Sequence, residues 1–245
     1  MARQRSRNGD NVQRYEDIVI AAADLFADKG FNGTSLNDIA DAIGLLKGSL
    51  YHYISSKEDL LFDVVKITHE GLQENVRFAD GFTQDPLRQL AAFSFGHVAF
   101  NSIPDRLHRG TVFMQESKHL APKKRALVTK VRDDYEQYLR AIIARGRKEG
   151  QFDPELDPRM CSFMTLGVLT SYIRWFKPGG PITSEALGRE SAAFVLASVE
   201  SPGTRSKLGS RFAVIDQVIS EFKQKKNPTP ANAAAVEHKR TAQKV

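Results

Sequence analysis

Three observations predict an all-α chain built in two parts. Apolar residues recur at spacings of three and four through most of the 245 residues, and the breaks between these stretches fall at proline or glycine. Nowhere does an alternation of apolar and polar residues mark a strand. Between Thr34 and Leu60, the stretch TSLNDIADAIGLLKGSLYHYISSKEDL packs several helix starts and a glycine turn into one short segment, the pattern of a compact helix-turn-helix head ahead of a larger helical domain.

The first element is an amphipathic helix in which Tyr15, Ile18, Val19, Ala22, Leu25 and Phe26 share one face and Gly30 ends the run. Phe31, Asn32 and Gly33 turn the chain into a capping box, where Ser35 and Asp38 satisfy orphan backbone N–H groups at a helix start. Leu36, Ile39, Ala40 and Ile43 form the buried stripe of that short second helix, and Gly44 supplies the left-handed residue after it. A third helix is expected from Lys47 to about Tyr53, burying Leu50 and Ile54 and exposing Lys47, Gly48, Tyr51 and His52. Ser55 to Glu58 read as the cap of a fourth, whose pattern runs through Leu60, Leu61, Val64, Val65, Ile67 and Leu72 to about Phe82. That is longer than a head requires, so this helix is expected to join two domains as a lever.

Beyond Pro86 the periodicity predicts helices from Leu87 to about Ser102, Asp105 to Leu120, Lys123 to Arg147, Asp157 to Phe176 and Ser184 to Val199. Phe212, Ile215, Val218, Ile219 and Phe222 predict one more, over Arg211–Lys223. From Asn227 large apolar residues vanish apart from single valines, the composition of a disordered end. The expected domains are thus a flexible basic arm (1–10), a head (11–60), a helical domain (61–200) and an extension (201–245).

A solvated helix face carries Glu and Lys, whereas the third helix exposes a cation, a glycine, a phenol and an imidazole. Each suits double-stranded DNA. Lys47 can reach a base edge or phosphate, Gly48 and Ser49 permit close backbone approach, and Tyr51, His52 and Tyr53 can donate to phosphate oxygens. Lys57, at the next helix N-terminus, would hold another phosphate.

At these residues the chain resembles the TetR family of transcriptional regulators, over about residues 14–62: AADLFADKGFNGTS, then DIA, then KGSLYHYI and SKEDLL, in that order. By position, the resemblance implies that Lys47, Gly48, Ser49, Tyr51 and His52 face the groove and that Thr34, Tyr53 and Lys57 contact phosphates. It also implies a homodimer on a palindromic operator, joined through the helices at about 158–176 and 184–199. Leu46 departs from the pattern, standing where many members place a Ser or Thr cap, which leaves Ser49 or DNA itself to satisfy that helix entrance.

The formal charge of +6 is unevenly placed: residues 1–60 hold 7 Lys or Arg against 9 Asp or Glu, and residues 201–245 hold 9 against 3. A slightly acidic head must concentrate its cations locally, and Arg3, Arg5 and Arg7 do so in an arm that could enter a minor groove. At 41% hydrophobic content the chain can bury a core, no apolar run reaches a membrane span, and MARQRSRNGD is not a secretory signal. A cytoplasmic protein without a membrane association is expected. The single cysteine, Cys161, makes no internal disulfide and is expected to be a buried thiol.

No GxxxxGK[ST], HExxH or GxSxG motif is present, and Pro104 interrupts the spacing of His97, His108 and His119, so no catalytic group, cofactor or metal site is expected. The second domain instead carries large soft side chains with a few polar ones, His97, Asn101, Gln115 and Arg174, that need partners. Phe93, His97, Phe100, Phe113, Met114, Tyr138, Phe163, Tyr172, Arg174 and Trp175 are the expected ligand residues. They suit a hydrophobic small-molecule inducer such as an acyl-CoA or lipid acid, with Arg174 as the cation for its anionic group. The alternative, a multidrug-responsive repressor of an efflux pump, would want buried acids, which helices 87–102 and 160–176 lack.

Overall fold

A computed structural model describes residues 2–226. Eleven α-helices follow one another: α1 (Ala2–Gly33), α2 (Leu36–Ala42), α3 (Lys47–Leu50), α4 (Lys57–Asp80), α5 (Pro86–Asn101), α6 (Pro104–Gln115), α7 (Pro122–Lys148), α8 (Pro158–Thr170), α9 (Ser184–Val199), α10 (Pro202–Leu208) and α11 (Arg211–Lys226). Short 3-10 turns at Ser117–His119 and Ser171–Arg174 follow α6 and α8, and no strand occurs among the described residues.

The head is built by local chemistry. Ser35 and Asp38 form the reciprocal capping box of α2, and Ser56 caps α4 by accepting from the Asp59 N–H. Gly30 (φ 74°) and Gly44 (φ 66°) both take the left-handed conformation that turns the chain out of α1 and α2. Ile18, Val19, Ala22, Phe26, Ile39, Leu50, Leu60 and Leu61 meet as a fully buried core beneath these short helices. Two expectations change here. Residues 2–10, read as an arm, are the opening turns of α1, and Gly9 is their only helix breaker. The third helix stops at Leu50, with residues 51–53 continuing as turn.

Helix α4 runs from the head, where Leu60 and Leu61 are buried, into the second domain, where Asn75 and Ala79 are. There α5 is the central element. Twelve-residue α6 and the long α7 flank it, Phe93 and Phe95 are fully buried, and α9 packs along its other side. The extension adds α10, which the sequence did not suggest, and α11, whose Ile215, Val218 and Ile219 are buried against α5 and α9. Phe222 sets its ring against Phe78 (5.7 Å), Phe95 (5.6 Å) and Phe100 (5.2 Å), while Arg189 and Asp216 close the far end with a bidentate pair at 2.7 and 3.0 Å. The segment from Asn227, expected as disordered, lies outside the described residues.

Candidate functional site

On the head, α3 and the turn after it present Lys47, Gly48, Tyr51 and His52 to solvent, while Leu50 is fully buried below them. A methyl group added at Gly48 would meet no protein atom within 4 Å, so nothing inside the fold requires glycine there. Ser49 and Tyr53 are half-buried. Leu46 occupies the N-cap position, makes no side-chain cap and is 80% exposed, while the Ser49 backbone N–H is satisfied by donating to the Leu46 carbonyl at 2.9 Å.

Two of the expected phosphate contacts have internal duties instead. Thr34 is buried, and its hydroxyl donates to the carbonyls of Gly30 (2.9 Å) and Leu25 (3.1 Å). Lys57 Nζ donates to the carbonyls of Phe31 and Thr34, both at 2.8 Å, and sits 4.3 Å over the Phe31 ring. Together they close the kink that Gly30 introduces near the end of α1. The exposed set is therefore Lys47, Gly48, Tyr51 and His52.

In the second domain a cavity of about 410 Å³ opens between α4, α5, α6, α7 and α8. Its lining is mostly apolar and takes in five of the expected ligand residues: His97, Phe113, Met114, Phe163 and Tyr172. The other five lie elsewhere. Phe93 is core, its ring centroid 5.0 Å from that of Tyr135, and Phe100 packs on Phe78 and Phe222. Tyr138 donates to Asp80 Oδ1 at 2.8 Å and accepts from Gln89. Arg174 and Trp175 are exposed on the 3-10 turn after α8, so the cation that Arg174 was expected to supply is not at the cavity. Gln115 is likewise exposed.

Tyr135, Arg132 and Glu136 also line the cavity, and the fully buried Asn75 is bonded to Tyr135. Asn75 Nδ2 faces the Phe93 carbonyl at 3.1 Å and the Tyr135 hydroxyl at 2.7 Å, and that hydroxyl lies 2.8 Å from His97 Nδ1. Burial lowers His97 to a pKa of about 4 and pushes Tyr135 up, so both are neutral. Arg132 reaches across to the Phe113 carbonyl and Ser117, and Glu136 is tied to Arg140 and Ser162. A smaller polar cavity, about 260 Å³, shares Thr68 and Asn101 with the first and is lined by Arg77, Arg106, Arg109, Glu70 and Glu74. Hydrogen-bond partners separated by sixty residues leave no periodic trace, which is why Asn75 and Tyr135 were not foreseen.

Helix α6 faces both ways. Gly110, Phe113 and Met114 line the cavity, and just past its end Glu116 Oε2 accepts from the Phe31 N–H at 2.9 Å while His119 stacks on the Phe31 ring at 5.3 Å. Nearby, Glu58 of α4 accepts from the Ala121 N–H at 3.1 Å and Asp59 pairs with Lys124. Met160, Phe163, Met164, Val168 and Phe194 leave α8 and α9 with an exposed apolar face, which Phe163 shares with the cavity. Cys161 is half-buried beside it, its thiol pKa raised by that burial.

Comparison with known proteins agrees with this two-part arrangement. Residues 18–64 match the family described as "Bacterial regulatory proteins, tetR family", and residues 83–199 match "Tetracyclin repressor-like, C-terminal domain". The chain belongs to the TetR family of transcriptional regulators. It is 29% identical over 194 residues to the HTH-type transcriptional repressor KstR2 of Mycobacterium tuberculosis, covering 79% of this chain and 96% of that one. The structure of that ketosteroid transcriptional regulator superposes with a TM-score of 0.72 at 26% identity, over 77% of this chain and 95% of the other. PfmR from Thermus thermophilus is 33% identical with a TM-score of 0.67 (74% and 97% covered), and AibR, solved in complex with isovaleryl coenzyme A and operator DNA, is 26% identical with a TM-score of 0.67 (74% and 97% covered). The TetR-family head therefore comprises α1 to α3 and the start of α4. Among the described residues no helix is long and apolar enough to cross a membrane.

Proposed function

We propose that this TetR-family regulator is a repressor that binds a two-fold operator as a homodimer and leaves it when a hydrophobic ligand with an anionic head, of the acyl-CoA or lipid-acid type, fills the cavity. The observation that carries this reading is α6, a single helix that lines the cavity and is bonded to the head through Glu116 and Phe31. A ligand that moves α6 must move the head with it, and two heads reading successive major grooves lose register when their separation changes. Lys47, Gly48, Tyr51 and His52 are the surface offered to the groove.

The ligand class rests on two cavities that share Thr68 and Asn101. An apolar body fits the larger one, and the smaller, where Arg77 and Arg109 stand beside an Arg106 paired with Glu74, is the nearest source of cations in place of Arg174. The isovaleryl coenzyme A bound by AibR supports an acyl thioester, and KstR2, a ketosteroid transcriptional regulator, supports a hydrophobic body. A cationic drug would need an unpaired buried acid; Asp133 on the wall is exposed, and Glu136 is already paired with Arg140. The exposed apolar face of α8 and α9 supports a dimer built from those helices, since an uncovered patch of this kind is costly on a monomer.

Operator fragments selected from genomic DNA, challenged in a gel shift with a series of acyl-CoAs and with cationic dyes, test the proposal. Release by acyl-CoA and not by dye is expected. Release by dye alone would move the protein to the multidrug class, and sedimentation of a monomer that still holds a palindrome tightly would remove the dimer.

A further inference from the structure

The polar wall of the larger cavity has a direction. Because a carbonyl oxygen can only accept, the atom of Asn75 that faces the Phe93 carbonyl at 3.1 Å must be the amide nitrogen, and its second proton goes to the Tyr135 hydroxyl at 2.7 Å. Tyr135 then has one proton of its own, and the acceptor for it is His97 Nδ1 at 2.8 Å. The neutral imidazole carries its single proton on Nε2, and no hydrogen bond to a described residue is made there. His97 is 5% exposed and lines the cavity beside Tyr135 and Tyr172, far from the open end where Met114 and Phe163 are half-exposed. A donor so placed, buried and lining the cavity, is available to a ligand that enters.

We propose that His97 Nε2–H is a specificity-determining donor for the ligand, selecting hydrophobic molecules that carry a carbonyl oxygen of the ketone, ester or thioester class at the buried end of the cavity. This rests on the cavity being the ligand site. Tyr135 has already given its proton away, so His97 Nε2–H shares that end only with the Tyr172 hydroxyl as a free donor to a carbonyl.

The test uses the full chain labelled with 15N-histidine and a matched pair of probes, 2-decalone and decalin, which differ by one carbonyl. In the free protein the His97 resonances are expected to show the Nε2–H tautomer from pH 6 to 8, with the Nε2–H signal moving when 2-decalone is added. The ketone should bind about 3- to 10-fold more tightly than the hydrocarbon, the range of one net hydrogen bond. His97→Phe should abolish that preference while still admitting decalin. Tyr135→Phe, which keeps the ring but removes the proton offered to Nδ1, should let the Nδ1–H tautomer appear and shrink the preference; together with the tautomer in the native chain it decides the matter if His97→Phe does not fold. An Nδ1–H tautomer in the native chain, or a ketone preference that survives His97→Phe, overturns the proposal. Equal binding of both probes at the cavity removes the donor role and leaves the ligand site standing, whereas exclusion of both removes the ligand site as well.

Discussion

Glu116, at the end of α6, accepts a hydrogen bond from the backbone N–H of Phe31 at 2.9 Å, across 85 residues of sequence. With the His108–Asp24 contact at 2.6 Å it ties the α6 wall of the cavity to the head, and His119 reinforces it by lying 3.5 Å from the same carboxylate and stacking on Phe31. Glu116→Ala would leave a half-buried N–H without its acceptor, at a cost of about 1–3 kcal/mol. The expected signature is a smaller effect of inducer on operator affinity with a modest loss in melting temperature, and Glu116→Gln, which keeps an acceptor oxygen, should restore most of the response. Operator titrations with and without inducer read the difference directly; full coupling in the alanine variant would exclude this route.

The end of α3 sets a stability residue beside a proposed recognition residue, Leu50 next to Tyr51. Leu50 is fully buried, so Leu50→Ala should cost about 2–5 kcal/mol and lower operator affinity only by unfolding the head. Tyr51 is 52% exposed, so Tyr51→Ala should leave the melt within about 0.5 kcal/mol and still weaken DNA binding. Paired melts and gel shifts distinguish the two, and undiminished operator affinity in the Tyr51 variant would remove it from the interface.

Leu46 offers the opposite opportunity. An apolar side chain at an N-cap accepts nothing, and at 80% exposure it gains little from burial. Leu46→Ser should therefore stabilise the head by about 0.5–2 kcal/mol by giving α3 the cap it lacks. A lower melting temperature in that variant would show that Leu46 has a packing role the native geometry does not suggest.

What the sequence made legible was local. The capping box, the glycine turns and the buried stripes of α1, α2 and α4 depend on neighbours within a few residues, and these are where the structure agrees most closely. Contacts between distant residues were not legible. Thr34 and Lys57 looked like phosphate ligands because their use as staples depends on carbonyls brought round by Gly30. Helix α8 is apolar on its outer side as well, where Met160 and Met164 are exposed, so its apolar pattern alone does not show which way the following turn points, and Arg174 and Trp175 end in solvent. The cavity's polar wall comes from α4, α5 and α7 together, and no periodicity in any one of them announces it.

The extension can be tested as a clamp. Phe222 is the point at which α11 meets both Phe78 of α4 and Phe95 and Phe100 of α5. Because it is only partly buried, Phe222→Ala should cost about 2–3 kcal/mol, below the range for a fully enclosed Phe. Hydrogen exchange should then rise along α11 ahead of α5. Unchanged protection of α11 would mean that Ile215, Val218 and Ile219 suffice to hold it.

His97 makes stability depend on pH with a predictable sign. Its ordinary pKa of 6.5 falls to about 4 in the folded protein because burial disfavours the imidazolium. Above pH 6.5 the ring is neutral in both states and the term is fully present. As the pH falls from there towards 4, the unfolded chain takes up a proton that the folded chain refuses, so stability is lost; below about 4 both states are protonated and this loss stops. Between pH 7 and pH 5 the loss from this group amounts to about 2 kcal/mol. The buried carboxylates Glu136 and Glu200, held below their usual range despite burial by Arg140 and by Arg205 and Arg211, lose their pairs only at lower pH and do not obscure that window. Denaturant unfolding at pH 7 and pH 5, for the native chain and for His97→Gln, isolates the term by difference: the native chain should lose about 2 kcal/mol more than the variant, and equal losses would show that the imidazole is reached by solvent or paired with an acid.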